Sequence, residues 1–159
     1  MPVRIMVAQS SNESLVLRRT YQASPEVVFR VWTDPEYMKR WFRPSKEFTH
    51  QFVEVDLRVG GKYRVAFEGP DGRVDTVGGE FIEITPPHKL VYSWMWEQPN
   101  EHAGIPSRVT VEFHQRDEGT ELVLTHELAD AEMKRRHLEG WTGALDLIPE
   151  VVNEIERAS

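Results

Sequence analysis

The sequence predicts an α+β fold in which one antiparallel sheet is covered by a long C-terminal helix. Two short, capped helices follow a first strand near the N-terminus. Residues 47–128 then alternate apolar and polar side chains between turn sequences, which is typical of a sheet with one apolar face. Residues 130–158 carry apolar side chains at helical spacing. A helix and a sheet that each have one apolar face are most simply buried against each other.

The N-terminal part predicts one strand and two helices. Residues 15–21 are rich in β-branched and aromatic side chains and predict the strand. Ser24-Pro25-Glu26 and Asp34-Pro35-Glu36 each place a capping oxygen before a proline and an acidic residue, as helix N-termini do. We expect residues 1–13 to form a flexible lead-in and residues 14–159 a single domain.

About six further strands are predicted between residues 47 and 128. Gly60-Gly61 and Gly69-Pro70-Asp71-Gly72 lie between alternating runs and predict hairpin turns. Pro86-Pro87 marks a third corner, and Asp117-Glu118-Gly119 joins the last two strands. The sheet is therefore expected to be curved and antiparallel, with short connections.

The C-terminal segment predicts a helix from Asp130 to Ala158, about 43 Å long at 1.5 Å per residue. Because Pro149 removes a hydrogen bond from the carbonyl of Leu145, the helix either bends over the curved sheet or starts a second piece there. Gly140 and Gly143 alternatively permit close backbone approach to the sheet, while the kink opens a mouth. The apolar stripe comprises Leu138, Trp141, Leu145, Ile148, Val152 and Ile155.

Composition excludes several classes of protein. Twenty-six acidic against nineteen basic residues give a net charge of −7, so we expect no nucleic-acid partner. The lack of cysteine excludes a disulfide framework, a thiolate zinc site and a cysteine nucleophile. No apolar run approaches the ~20 residues that span a bilayer, and the N-terminal run is too short for a signal peptide. We expect a cytoplasmic protein with no membrane association, and the oligomeric state stays open.

Several motifs carry a family resemblance, namely residues 23–29, 32–35, 41–42, 60–63, 79–81, 86–94, 119–122 and 137–141. Together with the order of elements, these motifs resemble the helix-grip fold of the SRPBCC superfamily, which includes the START domains. Within that superfamily the sequence is similar to the branch named after the C-terminal domain of the heat-shock-protein-90 ATPase activator. The resemblance extends from about residue 15 to 155 and implies a cavity between the concave sheet and the C-terminal helix.

The expected walls of this cavity are the inward-facing residues of the strands and of the C-terminal helix. Aromatic rings suit the binding of a planar apolar ligand, although the same rings could instead fill the core themselves. The candidate cavity residues are Tyr63, Phe67, Tyr92, Trp94, Val111, Phe113, Leu124, His126, His137, Trp141, Leu145 and Ile148.

Two of these candidates are histidines. His126 has the same strand parity as its inward neighbours, and His137 lies one helical turn before Trp141. A buried histidine needs hydrogen-bond partners, so each is either a polar anchor in the cavity or a rim residue bonded to backbone or water. Two histidines without a third ligand do not match a zinc site, so we expect no metal and no cofactor.

The predicted function is the binding of a small apolar ligand, aromatic or lipid-like, as the resemblance implies. One alternative is an enzyme of the cyclase or dehydratase type, for which His126 is the first candidate for acid–base catalysis. The other is a chaperone accessory protein, although we expect the chain to lack the activator's N-terminal partner-binding domain. Residues 97–107 form a long polar loop, expected to be either a lid or a flexible hairpin end.

Overall fold

The computed structural model describes residues 13–158 and contains one seven-stranded antiparallel sheet. The predicted α+β class is confirmed, as are six strands after the first one. The predicted lead-in lies outside the described residues except for Glu13, where the first strand begins. The strands are β1 (Glu13–Tyr21), β2 (Thr49–Val55), β3 (Lys62–Glu68), β4 (Val74–Thr85), β5 (Lys89–Trp96), β6 (Ser107–Arg116) and β7 (Gly119–Leu128). Their order across the sheet is β1-β7-β6-β5-β4-β3-β2.

Two short helices lie between β1 and β2, as their caps predict. Helix α1 (Pro25–Thr33) is capped by the Ser24 hydroxyl, which accepts a bond from the Val27 amide at 3.3 Å. Helix α2 (Pro35–Trp41) is capped by Asp34, whose carboxylate accepts from the amide of residue 36 at 2.9 Å. Because the caps fix where each helix starts, the apolar side chains that follow point into the core.

The sheet has one apolar face, which is the face that the helices cover. In β3, Tyr63, Val65 and Phe67 are buried, whereas Lys62 and Arg64 on the other face are exposed. The same alternation recurs in β6 and β7. Helix α1 contacts both of these strands.

The predicted C-terminal helix is present as two segments. Helix α3 (Ala131–Leu145) and helix α4 (Ile148–Ala158) are separated by a turn at residues 146–147. Pro149 has no amide hydrogen to offer the carbonyl of Leu145. The hydroxyl of Tyr21 donates to that carbonyl instead, at 3.0 Å. A second helical piece therefore begins next to Pro149, and the acceptor that the proline leaves free is satisfied by the end of β1.

The buried stripe of these helices differs from the predicted one at its ends. Its central residues are buried as expected. Leu138, however, is 38% exposed, and Ile155 is only partly buried. Met133 and His137 face the core before Trp141, because these residues continue the stripe at i, i+4 spacing. No helix within residues 13–158 is both long and apolar enough to cross a bilayer.

The two glycines of α3 have different surroundings. A Cβ atom built on Gly143 would lie 2.0 Å from the carbonyl oxygen of Pro44, so this glycine lets the helix touch the loop after α2. A Cβ atom on Gly140 would meet nothing within 4 Å. The close approach therefore exists at Gly143 only, and it is to a loop and not to the sheet.

This difference predicts opposite effects of the same substitution on stability. Gly143→Ala is expected to lower the free energy of unfolding by about 1–3 kcal/mol, because the methyl group has no room. Gly140→Ala is expected to raise it by up to about 1 kcal/mol, because alanine favours the helix. Denaturant unfolding of both variants measures this, and effects of the same sign would contradict the close contact.

Candidate functional site

A cavity of about 250 Å³ lies between the sheet, helix α3 and two loops. One loop follows α2, and the other, residues 97–106, joins β5 to β6. Pockets for small ligands usually measure ~300–1,000 Å³, so this cavity suits a ligand of about one or two fused rings. Its lining consists of Phe42, Arg43, Pro44, Phe48, Phe67, Arg73, Asp75, Trp94, Trp96, Asn100, Glu101, His102, Arg136, His137, Gly140, Trp141 and Ala144.

Aromatic rings from four parts of the chain form the inner wall. Phe42 follows α2 and meets Phe67 of β3, with ring centroids 5.2 Å apart. Trp94 of β5 and Trp141 of α3 have ring centroids 5.3 Å apart. Edge and tilted contacts between large rings leave irregular gaps that smaller side chains would close. The wall is therefore rigid, flat in places and apolar.

Charged side chains surround the opening of the cavity. Arg73 approaches Asp75 at 3.1 Å. Glu101 pairs with Arg136 of α3 at 2.7 Å and with Arg73 at 3.4 Å. Most of these side chains are exposed to solvent, so each pair contributes little to the stability of the fold. Glu101 nevertheless connects the 97–106 loop to elements on both sides of it, and the loop forms part of the cavity wall.

His126 lies behind this wall in a chain of three hydrogen bonds. The indole Nε1–H of Trp141 donates to His126 Nδ1 at 3.1 Å. His126 Nε2 is therefore the protonated nitrogen of the neutral ring, and it donates to the Ser107 hydroxyl at 2.8 Å. That hydroxyl donates in turn to the carbonyl of Trp94 at 3.1 Å. Both ring nitrogens are occupied and the residue is fully buried. This geometry leaves His126 without a free nitrogen for acid–base chemistry.

His137 also has partners on both nitrogens. Its Nδ1 lies 2.7 Å from the Met133 carbonyl, one turn earlier in α3, and must donate to it. Its Nε2 therefore accepts the indole N–H of Trp96 at 3.0 Å. The ring lines the cavity, and its centroid lies 5.1 Å from that of His126.

Burial makes both histidines harder to protonate. Removal from water holds the pKa of His126 well below its ordinary value, and the neighbouring His137 lowers it further. Burial also lowers the pKa of His137, with the bond to Met133 opposing the shift and His102 and Arg136 adding to it. Both rings are therefore neutral at neutral pH.

A second void of about 20 Å³ lies deeper, beside β3, β4 and β5. It is bordered by Tyr63 and Tyr92, whose hydroxyl groups are already bonded. Tyr63 donates to the Ser93 carbonyl at 2.7 Å, and Tyr92 accepts the indole N–H of Trp32 at 3.3 Å. The space is about that of a single water molecule, so this part of the interior is filled.

The predicted cavity residues thus fall into four groups. Phe67, Trp94, His137 and Trp141 line the large cavity. Tyr63 and Tyr92 border the small void, and His126 lies behind Trp141. The remaining five are buried in the core away from the large cavity, namely Val111, Phe113, Leu124, Leu145 and Ile148.

Comparison with known proteins identifies the family. The model of the family described as activator of Hsp90 ATPase homolog 1-like protein matches residues 22–153. The chain belongs to this family. It therefore has the helix-grip fold of the SRPBCC superfamily, and the resemblance noted in the sequence is confirmed.

Two mammalian relatives from this activator-homolog family match the chain at modest sequence identity. The human activator of 90 kDa heat shock protein ATPase homolog 1 is 28% identical over 127 residues, which is 80% of this chain and 33% of the human protein. The chain thus spans about a third of the length of the curated relatives it matches.

Solved structures of other proteins have the same fold over most of the chain. A crystal structure from Chromobacterium violaceum has a TM-score of 0.79 and 26% identity, covering 88% of this chain and 96% of that one. The AHSA1 protein from Silicibacter pomeroyi has a TM-score of 0.76 and 26% identity, covering 92% and 99%.

Sequence patterns missed the polar part of the lining. Arg73 and Asp75 flank a turn, and Arg136 lies on a helix where charged residues are common, so nothing in their pattern indicates a cavity. Asn100 and His102 lie in the loop that was expected to be either a lid or a hairpin end, and this expectation is the one signal in the sequence that points to them.

Within residues 13–158, no group of three or more histidine, aspartate or glutamate side chains is arranged to hold a metal ion.

The buried histidines predict a loss of stability in mild acid. Below pH ~6.5 the unfolded chain binds protons that His126 and His137 cannot bind in the folded state, so stability falls as pH decreases. Each such group contributes a slope of about 1.4 kcal/mol per pH unit. Denaturant unfolding between about pH 7 and pH 5 avoids most carboxylate titration and measures the slope.

Substitution assigns this slope to its source. His137→Gln is expected to reduce the slope by about 1 kcal/mol per pH unit. His114→Gln, at a half-exposed position of β6, is the matched control. An equal effect of the two variants on the slope would show that the buried pair does not cause it.

Proposed function

We propose that this member of the activator-homolog family binds a small, flat, apolar ligand in the cavity beneath α3. The observation that carries the proposal is the cavity of about 250 Å³ with aromatic walls. The void beside β3, β4 and β5 is much smaller, at about 20 Å³. A rigid apolar space of this size gains free energy when a matching ring displaces water from it.

The surroundings of the cavity support this function in two ways. The walls are preorganised, because Trp96 and Trp141 are each held by a hydrogen bond to a buried histidine. A preorganised wall loses little side-chain entropy when the ligand enters. The 97–106 loop, which Glu101 connects to both sides, lies at the entrance and offers a route of access.

Gly140 offers a direct test. It lies in the cavity wall, and a Cβ atom added to it would meet nothing within 4 Å. The probe is 1-methylnaphthalene, followed through the indole N–H signals in two-dimensional NMR. Wild-type protein is expected to bind it with shifts at the cavity tryptophans. In the series Gly140→Ala, Gly140→Leu and Gly140→Phe, affinity is expected to fall with side-chain size, by about tenfold or more for phenylalanine.

Leu138→Phe is the matched control, since it adds the same ring to the same helix at an exposed position outside the cavity. It is expected to leave probe binding unchanged. Binding that is insensitive to Gly140→Phe, or no binding of the probe at all, would overturn the proposed site.

A second candidate function is activation of an Hsp90 ATPase. It is favoured by the family match and by the name of the human relative, of which this chain covers 33%. This function predicts a rise in ATP hydrolysis when the chain is added to purified human and bacterial Hsp90, corrected with an Hsp90 inhibitor. Unchanged hydrolysis with both partners over a range of concentrations would exclude it. Gly140→Phe separates the two functions, because it blocks the cavity and leaves the outer surface intact.

A further inference from the structure

Three buried nitrogen atoms without a hydrogen-bond partner belong to residues that line one cavity. They are Trp94 Nε1, Arg43 Nε and His102 Nε2, and within residues 13–158 no other buried side-chain nitrogen or oxygen lacks a partner. Such groups are rare in folded proteins, since each costs about 1–3 kcal/mol when left unbonded. Their coincidence at the proposed site indicates polar chemistry in the ligand that the aromatic walls alone do not specify.

Trp94 is the most informative of the three. It is only 4% exposed, and its ring packs against those of Phe42, Trp141, His126 and His137. Trp94 also lines the cavity, so a ligand held there can supply the partner that its indole lacks. The other two cavity tryptophans have bonded N–H groups, as described above. An indole nitrogen only donates, so its missing partner is an acceptor.

Arg43 adds positive charge to the lining of the same cavity. One terminal nitrogen of its guanidinium donates to the carbonyls of Phe48 at 2.8 Å and Lys46 at 3.3 Å, which fixes the group in place. Its Nε remains free, and it too can only donate. The lining contains three arginines but only two acidic residues, in a protein whose net charge is −7. The cavity is thus locally positive within an acidic molecule.

We propose that the cavity selects an aromatic carboxylate, with its ring between the aromatic walls and its carboxylate accepting from the indole N–H of Trp94. Arg43 supplies the compensating charge. An ionised acceptor forms a shorter and stronger bond to such donors than a neutral one. This inference rests on the proposed binding function and specifies its ligand class.

Three probes with the same ring system test the charge preference. They are 1-naphthoate, uncharged 1-methylnaphthalene and cationic 1-naphthylmethylamine. Naphthoate is expected to bind about tenfold more tightly than the amine, and more tightly than methylnaphthalene. If methylnaphthalene binds in the Gly140-dependent manner while naphthoate binds no better, the carboxylate inference is overturned and the binding function stands. If none of the three binds, the proposed function itself fails.

Two tryptophan variants locate the acceptor. Trp94→Phe removes the free N–H, whereas Trp96→Phe, the matched control, removes one already bonded to His137. The affinity ratio of naphthoate to methylnaphthalene is expected to fall about fivefold or more in Trp94→Phe only. The ratio cancels any general loss of packing. An unchanged ratio in Trp94→Phe contradicts the assignment.

The NMR spectrum of the wild-type protein provides a test that does not depend on the stability of any variant. Naphthoate is expected to shift the Trp94 indole N–H signal downfield, as formation of a hydrogen bond requires, and methylnaphthalene is not. A downfield shift with both probes, or with neither, would contradict a bond from this donor.

Glu101 places a carboxylate of the protein itself between Arg73 and Arg136. Glu101→Gln removes this competing charge and is expected to raise the affinity for naphthoate relative to the amine by about threefold or more. Glu97→Gln is the control, because Glu97 pairs with Arg64 and does not line the cavity. Equal effects of the two variants would overturn the role assigned to charge at the opening.

Discussion

A line of three hydrogen bonds holds helix α3 over the sheet, and the shape of the cavity depends on it. The line runs from the Trp141 indole through His126 and Ser107 to the backbone of β5. The bond from Trp141 requires the neutral form of His126 with its proton on Nε2, because only then can Nδ1 accept. Because any break would leave a buried polar group unsatisfied in an apolar core, Trp141 has a fixed position. The open space in front of its ring is therefore a stable feature of the fold.

Most of the fold could be predicted because local patterns specify it. Ser24 and Asp34 indicate helix starts directly, and the consequence of Pro149 for the Leu145 carbonyl follows from its missing amide hydrogen. What the sequence could not show is the partner that completes each local pattern. Tyr21 bonds that carbonyl from the far end of the chain, and Leu138 fits a helical stripe yet is exposed.

The candidate site was harder to predict because α1 fills much of the interior. Phe29 packs on Phe113 with ring centroids 5.3 Å apart, and Trp32 stacks on Trp141 at 5.9 Å. These rings occupy the space beneath the helices that a hollow would need, so predicted wall residues such as Phe113 belong to the solid core. The remaining space lies towards the 97–106 loop. The position of this space depends on how large rings from distant segments fit together. The alternation of side chains along a strand gives no information about that packing.

The pairing of β1 with β7 has a consequence for how the chain reaches this fold. Tyr21 lies opposite Thr120 and Glu13 opposite Leu128, so β1 can pair only after β7, about a hundred residues later in the chain, is in place. Contacts between such distant segments require the closure of a long loop, which slows folding. The strands between them pair mainly with neighbours in sequence and can assemble earlier. We therefore expect β2 to β7 to pair first, and β1 and the C-terminal helices to dock against them later.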